Sequence, residues 1–115
     1  MNYNKISVTE SARTELHDLL GLTGAEISIN VLPAGASVPF VHAHKENEEI
    51  YAVLEGSGSV TIDGESIALK AGDWLRVSPA AKRQFFAAPD EQIKFICIQV
   101  KENSLKGYTM SDAVV

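Results

Sequence analysis

Residues 35–56, GASVPFVHAHKENEEIYAVLEG, hold three side chains of the types that bind metal ions: His42, His44 and Glu49. One residue separates the two histidines. If residues 40–44 form a strand, side chains alternate between its faces and both imidazoles leave the same side. Their attachment points are then about 6.6 Å apart, two rises of about 3.3 Å, and two tilted rings can converge on one ion from there. Glu49 opens the next strand-like run, residues 49–54, and can bring a carboxylate from an adjacent strand. Two imidazoles and one carboxylate, with positions left open, form the ligand set of an exchangeable or catalytic transition-metal site. Exposed loop histidines beside a solvated acidic turn are the simpler alternative. The flanking glycines, the carboxylate spacing and the strand pattern favour the ion site over it.

The elements that must position these residues are short. Residues 1–8 form a polar arm or edge strand. Residues 9–20 are expected to form a helix: Leu16, Leu19 and Leu20 lie on one face, Ser7 and Glu10 have capping-box spacing, and Gly21 suits the stop. His17 sits beside that stripe as a surface residue. Residues 25–32 alternate Ile27, Ile29 and Val31 against Glu26, Ser28 and Asn30, the pattern of a half-buried strand. In residues 49–54, Glu49, Tyr51 and Val53 point one way while Ile50, Ala52 and Leu54 point the other. A strand apolar on both faces must be covered on both. Gly56-Ser57-Gly58 permits a tight bend. Residues 59–69 read as a hairpin with Asp63-Gly64 as a two-residue type I′ turn, which sets Val60 opposite Ile67 and Ile62 opposite Glu65. Short strands follow over residues 74–77, 84–87 and 93–100. In the last of these, Phe95, Cys97 and Gln99 are expected to face inward, because Lys94 on the other face must reach solvent.

The gross numbers bound the function. A chain of 115 residues suits one domain. Ten Lys and Arg stand against fifteen Asp and Glu, a formal charge of −5. That excludes nucleic acid or an anionic membrane as the main partner, since phosphate binding needs a concentrated basic face. Lys82-Arg83 is the one local basic pair. A single cysteine, Cys97, excludes an internal disulfide or a cysteine-rich zinc module. No apolar run reaches membrane-spanning length, and the polar N-terminal residues lack a signal-peptide core. A cytoplasmic protein is expected. One helix and about eight short strands, without a βα alternation, place the chain in the all-β, double-sheet jelly-roll class.

These features resemble the cupin superfamily, in particular its small single-domain conserved-barrel members. The first motif of that family reads here as Gly35, His42, His44, Glu49 and Gly56, with one extra residue between Gly35 and His42. The second motif falls on Gly72-Asp73, Pro79-Ala80-Ala81 and Gln84. Ala81 stands for the turn glycine, Gln84 for the fourth-ligand histidine, and the asparagine is absent. The resemblance implies a double-stranded β-helix, a jelly-roll barrel over residues 25–100, between an arm and short helix (1–24) and a tail (101–115). It implies one divalent transition metal, Fe, Mn, Ni or Zn, held by His42, His44 and Glu49. Gln84 is either a fourth ligand through its amide oxygen or a hydrogen-bonding group for the substrate. A third alternative is that the substitution marks a site that has lost its metal.

The resemblance also implies a small-molecule ligand and an enzyme of dioxygenase, lyase or isomerase type on an oxygen-rich or anionic metabolite. A non-catalytic binding module and a metal-free isomerase are the alternatives. Tyr51, on the face of Glu49, is a candidate catalytic acid or hydrogen-bond donor, or else a packed barrel tyrosine. Arg76 and Arg83 could pair with a substrate carboxylate but read better as solvated surface residues, Cys97 could lie in the cavity but reads better as a small buried filler, and Trp74 reads as core or mouth lining. The doubly apolar strands lead us to expect a homodimer.

Overall fold

A computed structural model describes residues 2–115. The elements are β1 (Arg13–Glu15), α1 (His17–Leu20), β2 (Glu26–Leu32), β3 (Asn47–Ile62), β4 (Glu65–Lys70), β5 (Trp74–Val77), β6 (Arg83–Ala87) and β7 (Ile93–Lys101), with a 3₁₀ turn at Thr109–Ser111. The strand pairings among the described residues are all antiparallel. The fold is an all-β jelly roll, as the strand and turn pattern predicts.

The helix expected over residues 9–20 shrinks to the four residues of α1. Residues 13–15 instead pair with β2, Arg13 opposite Asn30 and Glu15 opposite Ser28. A free sheet edge offers a row of unpaired backbone groups, and that long-range pairing outweighs the leucine stripe; Leu19 is left 58 % exposed. Gly21 does end α1, in a left-handed conformation with φ of 64°.

The spine of the molecule is β3, a single strand of 16 residues. Its first half pairs with β7 on one side and β5 on the other; its second half pairs with β4 and β6. One strand therefore belongs to both halves of the roll, and Gly56-Ser57-Gly58 is no tight bend. The chain runs through it, after a register shift between Val53 and Glu55. The glycines serve close approach instead. Gly56 has φ of +79°, and a Cβ there would lie 1.8 Å from the Gln92 carbonyl oxygen; one on Gly58 would lie 2.1 Å from that of Phe86. The β3–β4 hairpin has the register that its turn predicts, Val60 opposite Ile67 and Ile62 opposite Glu65, with positive φ at both Asp63 and Gly64.

The core gathers Tyr51, Val53, Val60, Val77, Phe85, Ile93, Phe95 and Cys97 between the two halves. Phe85 and Phe95 stack with centroids 4.7 Å apart, and Tyr51 lies 4.4 Å from Phe85. Phe95 and Cys97 face inward on β7, as Lys94 requires. The core also takes in four polar residues, Ser28, Asn30, Glu49 and Arg83.

Because backbone lies where a side chain would go, Gly56→Ala and Gly58→Ala are each expected to cost about 2 kcal/mol or more in urea denaturation. Gly24→Ala, with nothing within 4 Å of the added carbon, should stay within about 0.5 kcal/mol of the parent. Equal, small effects at all three positions would contradict the close-approach account of β3.

Candidate metal centre

Residues 38–44 form no regular strand, contrary to the strand expected over 40–44. The chain is instead pinned to β6 and its preceding turn at alternate residues. Val38 N–H donates to the Phe85 carbonyl at 3.0 Å, His42 exchanges bonds with Arg83 at 3.1 and 2.9 Å, and His44 N–H donates to the Pro79 carbonyl at 2.8 Å. This anchoring preserves the alternation. His42 and His44 both line one cavity of about 470 Å³, with ring centroids 5.2 Å apart, while Val41 between them faces outward, 56 % exposed.

Glu49 comes from the first half of β3, flanked by Val77 of β5 and Gln99 of β7. It is 2 % exposed. Its Oε2 lies 3.2 Å from His44 Nε2 and its Oε1 lies 3.7 Å from His42 Nε2. The candidate ligand atoms of His42, His44 and Glu49 all lie within 4.8 Å of one another.

Sequence reasoning missed how the carboxylate is held. Arg83, read as a surface residue, is completely buried. Its Nη1 donates to Glu49 Oε1 at 3.0 Å, and its Nη2 donates to the Ser78 and Pro79 carbonyls at 2.5 and 3.4 Å. Tyr51 O–H also donates to Oε1, and Cys97 Sγ–H donates to Oε2 at 3.1 Å. Gln84, one residue on from Arg83, is not brought to the cluster. It lies on the opposite face of β6, does not line the cavity, and its Nε2 donates to the Val38 carbonyl at 2.7 Å. The inward position at the start of β6 therefore holds a guanidinium. The available signal was the period-2 alternation from Phe85, but with Phe86 also apolar that signal does not choose a face.

The electrostatics follow from these contacts. Burial alone would push the Glu49 carboxyl up. The Tyr51 and Cys97 donors and the charges of His44 and Arg83 outweigh burial and hold it below the usual carboxylate range. Burial also lowers His42, with Glu49 opposing and His44 and Arg83 reinforcing. His42 is thus neutral at pH 7, the form that ligates. Burial first, then the Glu49 charge among other causes, pushes Tyr51 and Cys97 up, so both keep their protons and remain donors.

The donor chemistry fits a divalent ion. His42 Nδ1 and His44 Nε2 are buried nitrogens without a hydrogen-bond partner, and such groups are costly unless something occupies them. Glu49 brings a carboxylate oxygen to the same cluster. Two nitrogens and one oxygen suit Fe, Mn, Ni or Zn. Arg76, by contrast, is exposed and pairs with Glu48 and Glu102 away from the cluster, and His17 pairs with Asp18 at the surface.

Comparison with known proteins agrees with this geometry. A family model described as "Cupin domain" matches residues 28–99. The crystal structure of a cupin protein from Bacteroides fragilis is 66 % identical, with a TM-score of 0.98, covering 100 % of this chain and 98 % of that one. That of a predicted oxalate decarboxylase from Thermotoga maritima is 25 % identical, with a TM-score of 0.61, covering 65 % of this chain and 64 % of that one. An uncharacterised protein of Methanocaldococcus jannaschii is 31 % identical over 67 residues, 58 % of this chain. The match takes in 53 % of that relative, about half its length. With the jelly roll, the His-x-His spacing and a family match over most of its length, this chain belongs to the cupin domain family.

Proposed function

We propose that this cupin binds one divalent transition metal through His42, His44 and Glu49 and acts there on a small, oxygen-rich or anionic metabolite. The observation that carries this is the convergence of two imidazoles, each with a buried nitrogen that makes no hydrogen bond among the described residues, on the buried Glu49 carboxylate at the wall of a cavity of ligand size. A bound ion supplies Lewis acidity to an oxygen ligand. The chain supplies the rest. Arg83 and Tyr51 hold Oε1 and leave Oε2 toward His44. Cys97 steadies Oε2, and Phe85 and Phe95 give the cavity an apolar wall. Tyr51 and Cys97 both spend their protons on Glu49. That weakens a metal-free isomerase using Tyr51 as acid or base. It favours, as a second reading, a module that holds its ligand without turnover. The predicted oxalate decarboxylase activity of the Thermotoga maritima relative supports an oxyanion as the ligand class. A reducing compartment, the cytoplasm, suits a chain whose one cysteine is a buried thiol.

We also assign the outer face of the first sheet to a second copy of this chain. Pairing registers put Ile27, Ile98 and Ile50 in one row across β2, β7 and β3, and Ile29, Ile96, Ala52 and Trp74 in the next. Trp74 is 70 % exposed and Leu54 45 %. Such rows, ended on β5 by Arg76 and Trp74, can meet the same face of a second copy across a two-fold axis.

Reloaded with Zn(II) after chelation, the protein is expected to take up one equivalent and to gain stability, about 2.7 kcal/mol at a hundredfold excess over Kd. His42→Ala and His44→Ala should retain the circular dichroism of the fold and lose most of that metal in elemental analysis. Full metal content in the double variant would sink the site. Light scattering after size exclusion should give a dimer mass for the parent and a monomer mass for Ile98→Glu. A monomeric parent would remove the second copy.

A further inference from the structure

The cavity has a second polar pole that the metal centre does not use. Ser28 and Asn30 lie on β2, and each is among the buried residues of the core, 2 % and 7 % exposed. Arg13, on the edge strand β1 opposite Asn30, reaches the same cavity. Its Nη1 donates to Asn30 Oδ1 at 2.6 Å, and Asn30 Nδ2 donates to Ser28 Oγ at 3.0 Å, while Arg13 Nε donates to the exposed Glu15 carboxylate at 3.2 Å and its other amino group is left for a ligand.

The polarity of this chain is fixed. A guanidinium can only donate, so the amide atom facing it is the oxygen, the other is the NH₂, and Ser28 Oγ must accept. Ser28 therefore keeps its own hydroxyl proton for an acceptor in the cavity. Each bond also polarises the next, so a positive charge at Arg13 is relayed to a buried hydroxyl donor. Ser28 and Asn30 occupy inward sheet positions where apolar side chains would fill the roll at lower desolvation cost.

The pole has a fixed place relative to the metal centre. Ser28 pairs with Cys97, and Cys97 with Tyr51, the neighbour of Glu49 on the inward face. The two poles are thus two strands apart, on the order of 10 Å between backbones at about 4.8 Å per strand. Between them lie Phe95 and the Cys97 thiol.

We propose that Arg13, Asn30 and Ser28 form the recognition site for a second oxyanion on the ligand, so that the cavity selects a short molecule with an acidic group at each end. One end chelates at His42, His44 and Glu49. The other accepts from Ser28 and pairs with Arg13. This rests on the metal-centre reading for the first end only. It makes these three residues the determinants of ligand length and charge, and it gives Arg13, half-exposed at the mouth, a direct part in capture.

The test is calorimetric titration of the Zn(II)-loaded protein with acetate, malonate, succinate, glutarate and inorganic phosphate, with metal content measured for every variant. One of the dicarboxylates should bind about tenfold or more tightly than acetate, the worth of a charge-assisted hydrogen bond. Arg13→Gln and Ser28→Ala should each remove that advantage at unchanged metal content. Arg13-dependent binding of phosphate would support the pole and name phosphate as its anion. If the variants keep the parent's preference, or the parent shows none, the proposal fails. If the parent takes up no metal, the metal reading fails separately. The same anions on that metal-free protein then decide the pole: binding lost in Arg13→Gln upholds it, and binding indifferent to Arg13 overturns it.

Discussion

A carboxylate with almost no access to water sits at the centre of this protein, and the arrangement around it answers the cost of keeping it charged. An ionised group taken into an apolar interior loses several kcal/mol of hydration unless partners replace water. Glu49 has three hydrogen-bond donors and a nearby imidazole. Arg83 and Tyr51 donate to one oxygen, Cys97 donates to the other, and His44 faces that second oxygen. These partners come from β6, β7, β3 itself and the irregular segment before β3. Closing the roll and ionising Glu49 are thus one event. The turn before β6 is tied in as well, because the same guanidinium satisfies its carbonyls at Ser78 and Pro79.

Arg83 also changes the charge of the centre. The family resemblance places a neutral fourth ligand near the start of β6, where this chain has a permanent cation facing inward. Glu49 and Arg83 cancel, so a divalent ion at the histidines would bring two positive charges that the protein itself does not offset. Such a centre, once loaded, would favour anionic ligands over neutral ones, as the proposed function requires, since a bound acid restores the balance. The polar pole on β1 and β2 points the same way. The two poles of the cavity offer donors, and the middle is aromatic.

Much of this is written in the chain at short range. Asp63-Gly64 with its alternating flanks specifies the hairpin register. Lys94 specifies which face of β7 is inward, and the spacing of His42, His44 and Glu49 brings those three side chains together. The rest depends on partners distant in sequence. Residues 13–15 carry a helical stripe, yet they follow the open edge of β2. Gly56 and Gly58 look like a bend, yet they mark where other strands press against β3, which only the fold reveals. Arg83 looks like a surface residue because it follows Lys82. A one-residue shift at the start of β6, from Gln84 to Arg83, turns it inward and turns Gln84 away. That shift exchanges a ligand for a cation, and no local pattern in Arg83-Gln84-Phe85-Phe86 decides it.

The direct test is a double-mutant cycle on the pair that the structure makes central, measured by urea denaturation of metal-free protein. Arg83→Met should cost about 3–5 kcal/mol, because it leaves Glu49 charged and buried without its cation. In the Arg83→Met/Glu49→Gln double variant the losses should fall short of additive by about 1–3 kcal/mol. If Arg83→Met is nearly neutral and the two changes simply add, Glu49 is not held by Arg83, and this account of the centre is wrong.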